Sequence, residues 1–159
     1  MPFKVFISYS TRDLSRAKEV QKLLARPGCK VFLAETSISP GRELSSAIIK
    51  AIKQCDVFIL LWSHHARNSE WVPQEIGVAR SDDKPIIPIV LHVSADPTGF
   101  LRGTKYLPLY KDPANALKWL QRHVFAEASA KEKRDGLTWL GLGAAFVWLF
   151  SQDEREADA

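Results

Sequence analysis

Residues 56–62 read Asp-Val-Phe-Ile-Leu-Leu-Trp, an almost continuous apolar run in the middle of the chain. The run is too short for a buried helix and has the usual length of a strand. Apolar side chains on both faces of a strand are typical of a parallel sheet that helices cover on both sides. Residues 56–62 therefore predict a central strand of an α/β domain.

Strand patterns and helix patterns alternate on either side of this run. Four further segments have the β-branched and aromatic composition of strands, at residues 3–9, 30–33, 85–91 and 106–110. Helical spacing of apolar residues predicts helices after an Asp13 N-cap, over 44–52, over 71–80 and over 114–124. This alternation predicts βαβ units and a single parallel sheet.

The predicted fold is a flavodoxin-like, three-layer α/β fold with a five-stranded parallel sheet in the order 2-1-3-4-5. Ligands bind to such sheets beyond the carboxyl ends of the strands, at the point where the strand order reverses. That point lies between the first strand, which ends near Ser8-Tyr9-Ser10, and the third, which ends at Trp62-Ser63. We therefore expect the binding crevice between these two strand ends.

The segment that follows the third strand carries a tryptophan and a glutamate four positions apart, Trp71 and Glu75. Positions i and i+4 share one face of a helix, so an aromatic ring and a carboxylate would project side by side at the crevice. Such a pair suits stacking of a planar ring and action on the sugar attached to it. The spacing is equally compatible with Glu75 as a first-turn acid that favours the helix dipole, and with Trp71 as a packing residue.

Several other chemistries are excluded or disfavoured. The chain has neither a P-loop nor a Gly-x-Gly-x-x-Gly sequence after the first strand, which excludes a conventional dinucleotide fold. The first strand also lacks the acidic cluster that a phosphoacceptor domain needs. His64 and His65 are adjacent, so their side chains diverge, and no cysteine or acid stands at ligand spacing. We interpret them as a solvated pair and predict no metal site.

Composition and cysteine usage are those of a folded intracellular domain. Hydrophobic residues make up 46% and charged residues 25% of the chain, which carries a formal net charge of +4. That balance favours an anionic ligand or a membrane surface, or simply keeps the protein in solution; no nucleic-acid ligand is expected. Cys29 and Cys55 form no close pair, and we interpret both as reduced thiols in a cytosolic protein without a leader sequence.

The C-terminal part of the chain divides by charge. We predict a domain over residues 1–126, a charged linker over 127–135, an apolar helix over 136–152 and an acidic tail over 153–159. The uncharged residues 136–150 would span about 22 Å as a helix, against the roughly 30 Å core of a bilayer. A membrane anchor, a helix packed on the domain and an oligomerisation helix all remain open.

Three segments together resemble the TIR (Toll/interleukin-1 receptor) domain family over about residues 3–125. Residues 6–13 read Phe-Ile-Ser-Tyr-Ser-Thr-Arg-Asp and resemble the first box of the family. Residues 38–44 read Ile-Ser-Pro-Gly-Arg-Glu-Leu and resemble its BB loop. Residues 69–76 contain the Ser-x-Trp-x-x-x-Glu pattern. One departure is Ala34-Glu35, which stands where the family often has two acids.

The resemblance implies one of two functions. TIR enzymes cleave NAD+ at the nicotinamide–ribose bond as glycohydrolases or cyclases, and many bacterial members act in antiphage defence or as effectors. Other members are adaptors that signal through homotypic TIR–TIR contact. For the enzyme, the resemblance implies NAD+ as substrate, no cofactor, a cytoplasmic location and homotypic TIR–TIR self-association. The apolar residues 136–152 are, on their sequence alone, a candidate membrane contact. Its implied site residues are catalytic Glu75 and substrate-binding Ser8, Ser10, Arg12, Phe32, Ser39, Gly41 and Trp71.

Overall fold

The computed structural model describes residues 1–34, 43–95 and 99–156, and the side chains of all of these except Phe100 and residues 138–156. The strands are β1 (Phe3–Ser8), β2 (Cys29–Leu33), β3 (Val57–Trp62), β4 (Ile86–Val90) and β5 (Leu107–Pro108). The helices are α1 (Leu14–Leu24), α2 (Ser46–Gln54), α3 (His64–Arg67), α4 (Val72–Ser81) and α5 (Pro113–Glu156).

The strands form one five-stranded parallel sheet in the order β2-β1-β3-β4-β5. Strand β3 lies at its centre, and all six of its residues are buried. The register pairs Ile7 of β1 with Ile59 of β3, so apolar side chains of the two strands stack within both faces of the sheet. The predicted fold class and strand order are confirmed.

The helices form two layers. Helices α1 and α5 contact each other, and α2 contacts α4. Side chains Phe32, Phe6 and Phe58 stack across β2, β1 and β3, with ring centroids 5.4 and 5.3 Å apart. Because β2 and β3 flank β1 on opposite sides, the chain connections reverse direction there. The sheet therefore has its crevice where the sequence predicted it, between the carboxyl ends of β1 and β3.

Residues 127–135, predicted as a charged linker, are instead part of the continuous helix α5. Lys131 binds the carboxylate of Asp56 with its Nζ 3.0 Å from Oδ1 and 2.9 Å from Oδ2. The same carboxylate accepts the backbone N–H of Lys4 at 2.7 Å. Lys131, one of the charged residues that suggested a linker, thus binds this part of α5 to the amino ends of β1 and β3, at the end of the sheet opposite the crevice.

The apolar stretch 136–152 falls within the backbone of α5, but its side chains from residue 138 onward lie outside the described part of the chain. Within the residues that are described, no helix combines the length and the apolar character that crossing a bilayer requires. The candidate membrane anchor therefore has no support from the structure. Residues 157–159 of the predicted acidic tail also lie outside the described residues.

We expect Lys131→Ala to lower the free energy of unfolding by about 1 kcal/mol, because it leaves the half-buried Asp56 carboxylate without its cation. Urea denaturation measures the change. The matched control is Lys133→Ala, which removes an exposed lysine from the same helix. Equal losses in the two variants would show that the Asp56–Lys131 ion pair does not hold α5 on the sheet.

Candidate active site

The carboxylate of Glu75 lies in the core of the protein. The side chain of Glu75 has no exposed surface, and Ser8 Oγ donates a hydrogen bond of 2.5 Å to its Oε2. Ser8, at the end of β1, is also fully buried. Oxygen Oε1 of Glu75 is buried too and has no hydrogen-bond partner among the residues that the structure describes. A buried acceptor without a partner is costly, so this oxygen is a candidate for contact with a ligand.

Burial changes the acidity of this group. Loss of hydration raises the pKa of Glu75 to about 7, and the hydrogen bond from Ser8 opposes the rise only in part. Glu75 stands in the first turn of α4, where the helix dipole favours a negative charge. Desolvation outweighs both the hydrogen bond from Ser8 and the helix dipole in this structure. A carboxyl group that titrates near neutrality is frequent at functional sites.

The start of α4 fixes the position of Glu75. Ser69 Oγ accepts the backbone N–H groups of Trp71 at 3.3 Å and of Val72 at 3.4 Å, and Pro73 occupies the first turn. The N–H of Glu75 then donates to the carbonyl of Trp71 at 2.9 Å. The Ser-x-Trp-x-x-x-Glu pattern therefore contains the serine that binds two backbone N–H groups at the start of the helix, the N-cap residue Trp71 and the acid one turn later.

A polar cavity of about 300 Å³ opens between the loop after β1 and the loop after β3. Its described lining combines one tryptophan with six polar residues and contains no carboxylate: Ser10, Thr11, Arg12, His65, Asn68, Ser69 and Trp71. The volume is at the lower end of the range for small-molecule sites. One arginine among hydroxyl and amide groups, with no acid, suits an anionic group such as a phosphate.

Five of the predicted site residues lie at the crevice, where they form two separate clusters. Ser10, Arg12 and Trp71 line the cavity, whereas Ser8 and Glu75 form a buried pair that does not line it. Trp71 is only 6% exposed, so little of its ring is available for stacking in this conformation.

The remaining predicted site residues lie elsewhere. Phe32 packs on Phe6 and lines cavities along β2 and α2 instead of the one at the crevice. Its grouping with Arg12 and Trp71 is therefore not seen, because β2 lies on the far side of β1 from the cavity. Ser39 and Gly41 lie outside the described residues, as does Glu35 of the Ala34-Glu35 pair.

One buried interaction at the crevice was not predicted. Asp13 occupies the N-cap position of α1 but makes no capping hydrogen bond with its side chain. Its Oδ2 instead accepts a hydrogen bond of 2.5 Å from Ser63 Oγ. The sequence offered one signal for this pair, because a polar residue directly after a fully apolar strand must find a partner if it is buried. That signal did not identify the partner, which is 50 residues away.

The histidine pair is exposed, as the sequence indicated. His64 Nε2 lies 2.9 Å from Ser94 Oγ, whereas His65 lines the cavity. Within the described part of the chain, no group of His, Cys, Asp and Glu side chains is arranged to hold a metal ion.

The raised pKa of Glu75 gives a pH-dependent stability. The folded protein retains a proton that the unfolded chain releases between about pH 4.5 and about pH 7. Stability contributed by this group therefore falls as pH rises through that range. We expect Glu75→Gln, which cannot ionise, to gain stability relative to wild type by on the order of 2–3 kcal/mol between pH 5 and pH 8. Urea denaturation at both pH values measures it; a constant difference between the two proteins would contradict the raised pKa.

Comparison with known proteins identifies the family. The sequence profile of the TIR domain matches residues 5–123. A probable 2' cyclic ADP-D-ribose synthase from Brachypodium distachyon is 29% identical over 135 residues, which cover 81% of this chain and 56% of that protein. The chain thus spans little more than half the length of this relative.

Two solved structures have the same fold. The TIR domain of a Toll-related receptor from Hydra magnipapillata superposes with a TM-score of 0.58 at 21% identity, over 79% of this chain and 97% of that one. A CMP N-glycosidase from Clostridium botulinum superposes with a TM-score of 0.57 at 23% identity, over 76% and 98% of the two chains. With the profile match over three motifs and the observed strand order, these comparisons lead to one conclusion: the chain belongs to the TIR domain family.

Proposed function

We propose that this protein cleaves NAD+ at the bond between nicotinamide and ribose, with Glu75 as the catalytic carboxylate. The observation that carries the proposal is the buried Glu75 carboxyl group at the switch point of the sheet, with Oε2 held by Ser8 and with no partner for Oε1 in the described part of the chain. The relative from Brachypodium distachyon supports it, since that protein is named as a probable synthase of a cyclic ADP-ribose.

One carboxylate is sufficient for this reaction. Ordinary glycosidases use two, because the leaving oxygen must be protonated. The nicotinamide of NAD+ is already cationic, so it takes the electron pair of the broken C–N bond and leaves as a neutral molecule without an acid. What remains is to stabilise the positive charge that develops on the ribose, and an ionised Glu75 supplies the opposite charge.

The two oxygens of Glu75 have different roles in this proposal. The hydrogen bond from Ser8 holds Oε2 and fixes the plane of the carboxylate. Oxygen Oε1, for which the described residues offer no partner, accepts hydrogen bonds from ribose hydroxyl groups. In hydrolysis, water then forms the new bond to the ribose C1′ and releases a proton. In cyclisation, a nucleophilic atom of the same ADP-ribose unit takes the place of water.

Substrate must reach a carboxyl group that is enclosed in the structure, because Glu75 has no exposed surface. Opening of the residues that cover it would admit both ribose and water, and hydration would return the pKa of Glu75 towards its ordinary value. At neutral pH the enzyme would then ionise its catalytic group more fully when the site opens. We propose that contact between two copies of the domain causes this opening, because the family resemblance implies homotypic TIR–TIR association.

The polar cavity supplies the second part of the substrate site. In the proposal, Arg12 and Ser10 bind the diphosphate of NAD+, and Trp71 forms the wall between the diphosphate and Glu75. Because Trp71 is almost fully buried, its first task is to hold the start of α4 in position. Ser39 and Gly41 remain predicted contributors from the loop between β2 and α2.

We expect Glu75→Gln to lower the rate of nicotinamide release from NAD+ by at least about a hundredfold, because the amide carries no charge to stabilise the ribose cation. Chromatography of the products measures the rate and distinguishes linear from cyclic ADP-ribose. The matched control is Glu70→Gln, an exposed glutamate in the same segment, which should keep the wild-type rate.

Equal activity of wild type and Glu75→Gln would refute the assignment of the catalytic residue. A folded wild-type protein that releases no nicotinamide, including at concentrations at which it self-associates, would favour the other function that the family offers, a scaffold that acts through TIR–TIR association.

A further inference from the structure

We infer that Asp13 and Ser63 are positioning residues that hold the two walls of the polar cavity at a fixed separation and thereby set the affinity for substrate. The inference rests on the proposed function for the identity of the substrate. It assigns a task to a second buried carboxylate at the crevice, which the cleavage chemistry does not use.

The hydrogen bond joins the two loops that form the cavity. Asp13 ends the loop after β1, whose residues 10–12 line one wall. Ser63 begins the loop after β3, and residues 65, 68, 69 and 71 line the other wall. Among the described residues, the 2.5 Å bond from Ser63 Oγ to Asp13 Oδ2 is a direct side-chain link between these two walls.

The direction of the bond follows from the other partner of Ser63. Ser63 Oγ accepts the backbone N–H of Ala66 at 3.0 Å, as the N-cap of α3. A serine hydroxyl carries a single hydrogen, and here the acceptor within reach of that hydrogen is Asp13. The carboxylate of Asp13 thus orients the hydroxyl that starts α3. Ser63 is fully buried and Asp13 nearly so, which keeps water from competing for the bond.

Each partner is also tied to its own wall. The N–H of Asp13 donates to the carbonyl of Ser10 at 2.7 Å, and Ser10 Oγ accepts the N–H of Arg12 at 3.4 Å. On the other wall, Arg67 N–H donates to the Ser63 carbonyl at 2.9 Å. A shift of either partner therefore moves groups that line the cavity. Glu75 follows the second wall in α4, but its carboxylate is also held by Ser8 of β1, through a bond that neither Asp13 nor Ser63 makes.

This separation predicts a specific kinetic effect. Loosening the walls weakens binding of the part of the substrate that lies in the cavity but leaves the carboxylate and its Ser8 bond in place. We expect Ser63→Ala to raise the KM for NAD+ by about tenfold while kcat changes by less than about twofold. Ser63→Thr, which retains a hydroxyl at the same position, should restore most of the affinity.

The experiment combines these kinetics with hydrogen exchange of wild type, Ser63→Ala, Ser63→Thr and Asp112→Ala. Asp112→Ala removes the side chain that accepts the Asn115 N–H in the first turn of α5, beyond β5 and away from the cavity, so it controls for loss of a helix cap alone. We expect Ser63→Ala to accelerate exchange in both walls, residues 10–13 and 63–71, and Asp112→Ala to accelerate it in neither.

Faster exchange confined to residues 63–71 would overturn the inference, because Ser63 would then be only the cap of its own helix. An unchanged KM with both walls loosened would overturn it as well. A wild type that cleaves no NAD+ would instead refute the proposed function, and with it the substrate on which the positioning role depends. The exchange data would still report separately whether Asp13 and Ser63 couple the two walls.

Discussion

The burial of the Glu75 carboxyl group is the constraint on which the rest of the site depends. Among the described residues, Ser8 donates a hydrogen bond to one of its oxygens, and the other buried oxygen has no partner. Desolvation of a carboxyl group lowers the stability of the folded protein, and carboxyl groups buried in this way are frequent at functional sites. Burial raises the pKa of Glu75 to about 7, so that the enclosed carboxyl group can be neutral below that pH. The loss of stability is smaller for the neutral form than for the buried charge.

The sheet explains why this group stands where it does. Reversal of strand order between β1 and β3 leaves a crevice that both loops must flank, and both buried acids, Glu75 and Asp13, find their serine partners across it. At the amino ends of the strands, opposite the crevice, the ion pair between Lys131 and Asp56 holds α5 against the sheet. An ion pair therefore joins helix and sheet at the amino ends of the strands, whereas polar side chains line a cavity at the carboxyl ends.

The fold and the position of Glu75 at the start of α4, beside the point where strand order reverses, could be predicted from sequence because both depend on local patterns. The apolar run 57–62 and the i, i+4 spacing of Trp71 and Glu75 are periodic signals, and they were sufficient. What the sequence did not reveal depends on long-range pairing. The bond between Asp13 and Ser63 and the helical course of residues 127–135 each require a partner far along the chain, Ser63 in one case and Asp56 in the other. The sequence also did not predict the burial of Glu75, because an acidic residue in the first turn of a helix is usually exposed.

The most direct test of the central claim is a crystal structure of the protein with an NAD+ analogue whose nicotinamide–ribose bond cannot be cleaved. The account predicts Glu75 Oε1 within hydrogen-bond distance of a ribose hydroxyl, with the bond between Ser8 and Oε2 retained and the diphosphate beside Arg12. A bound analogue whose ribose lies away from a still enclosed Glu75 would contradict the account, because the carboxylate could not then stabilise the charge that develops on the sugar.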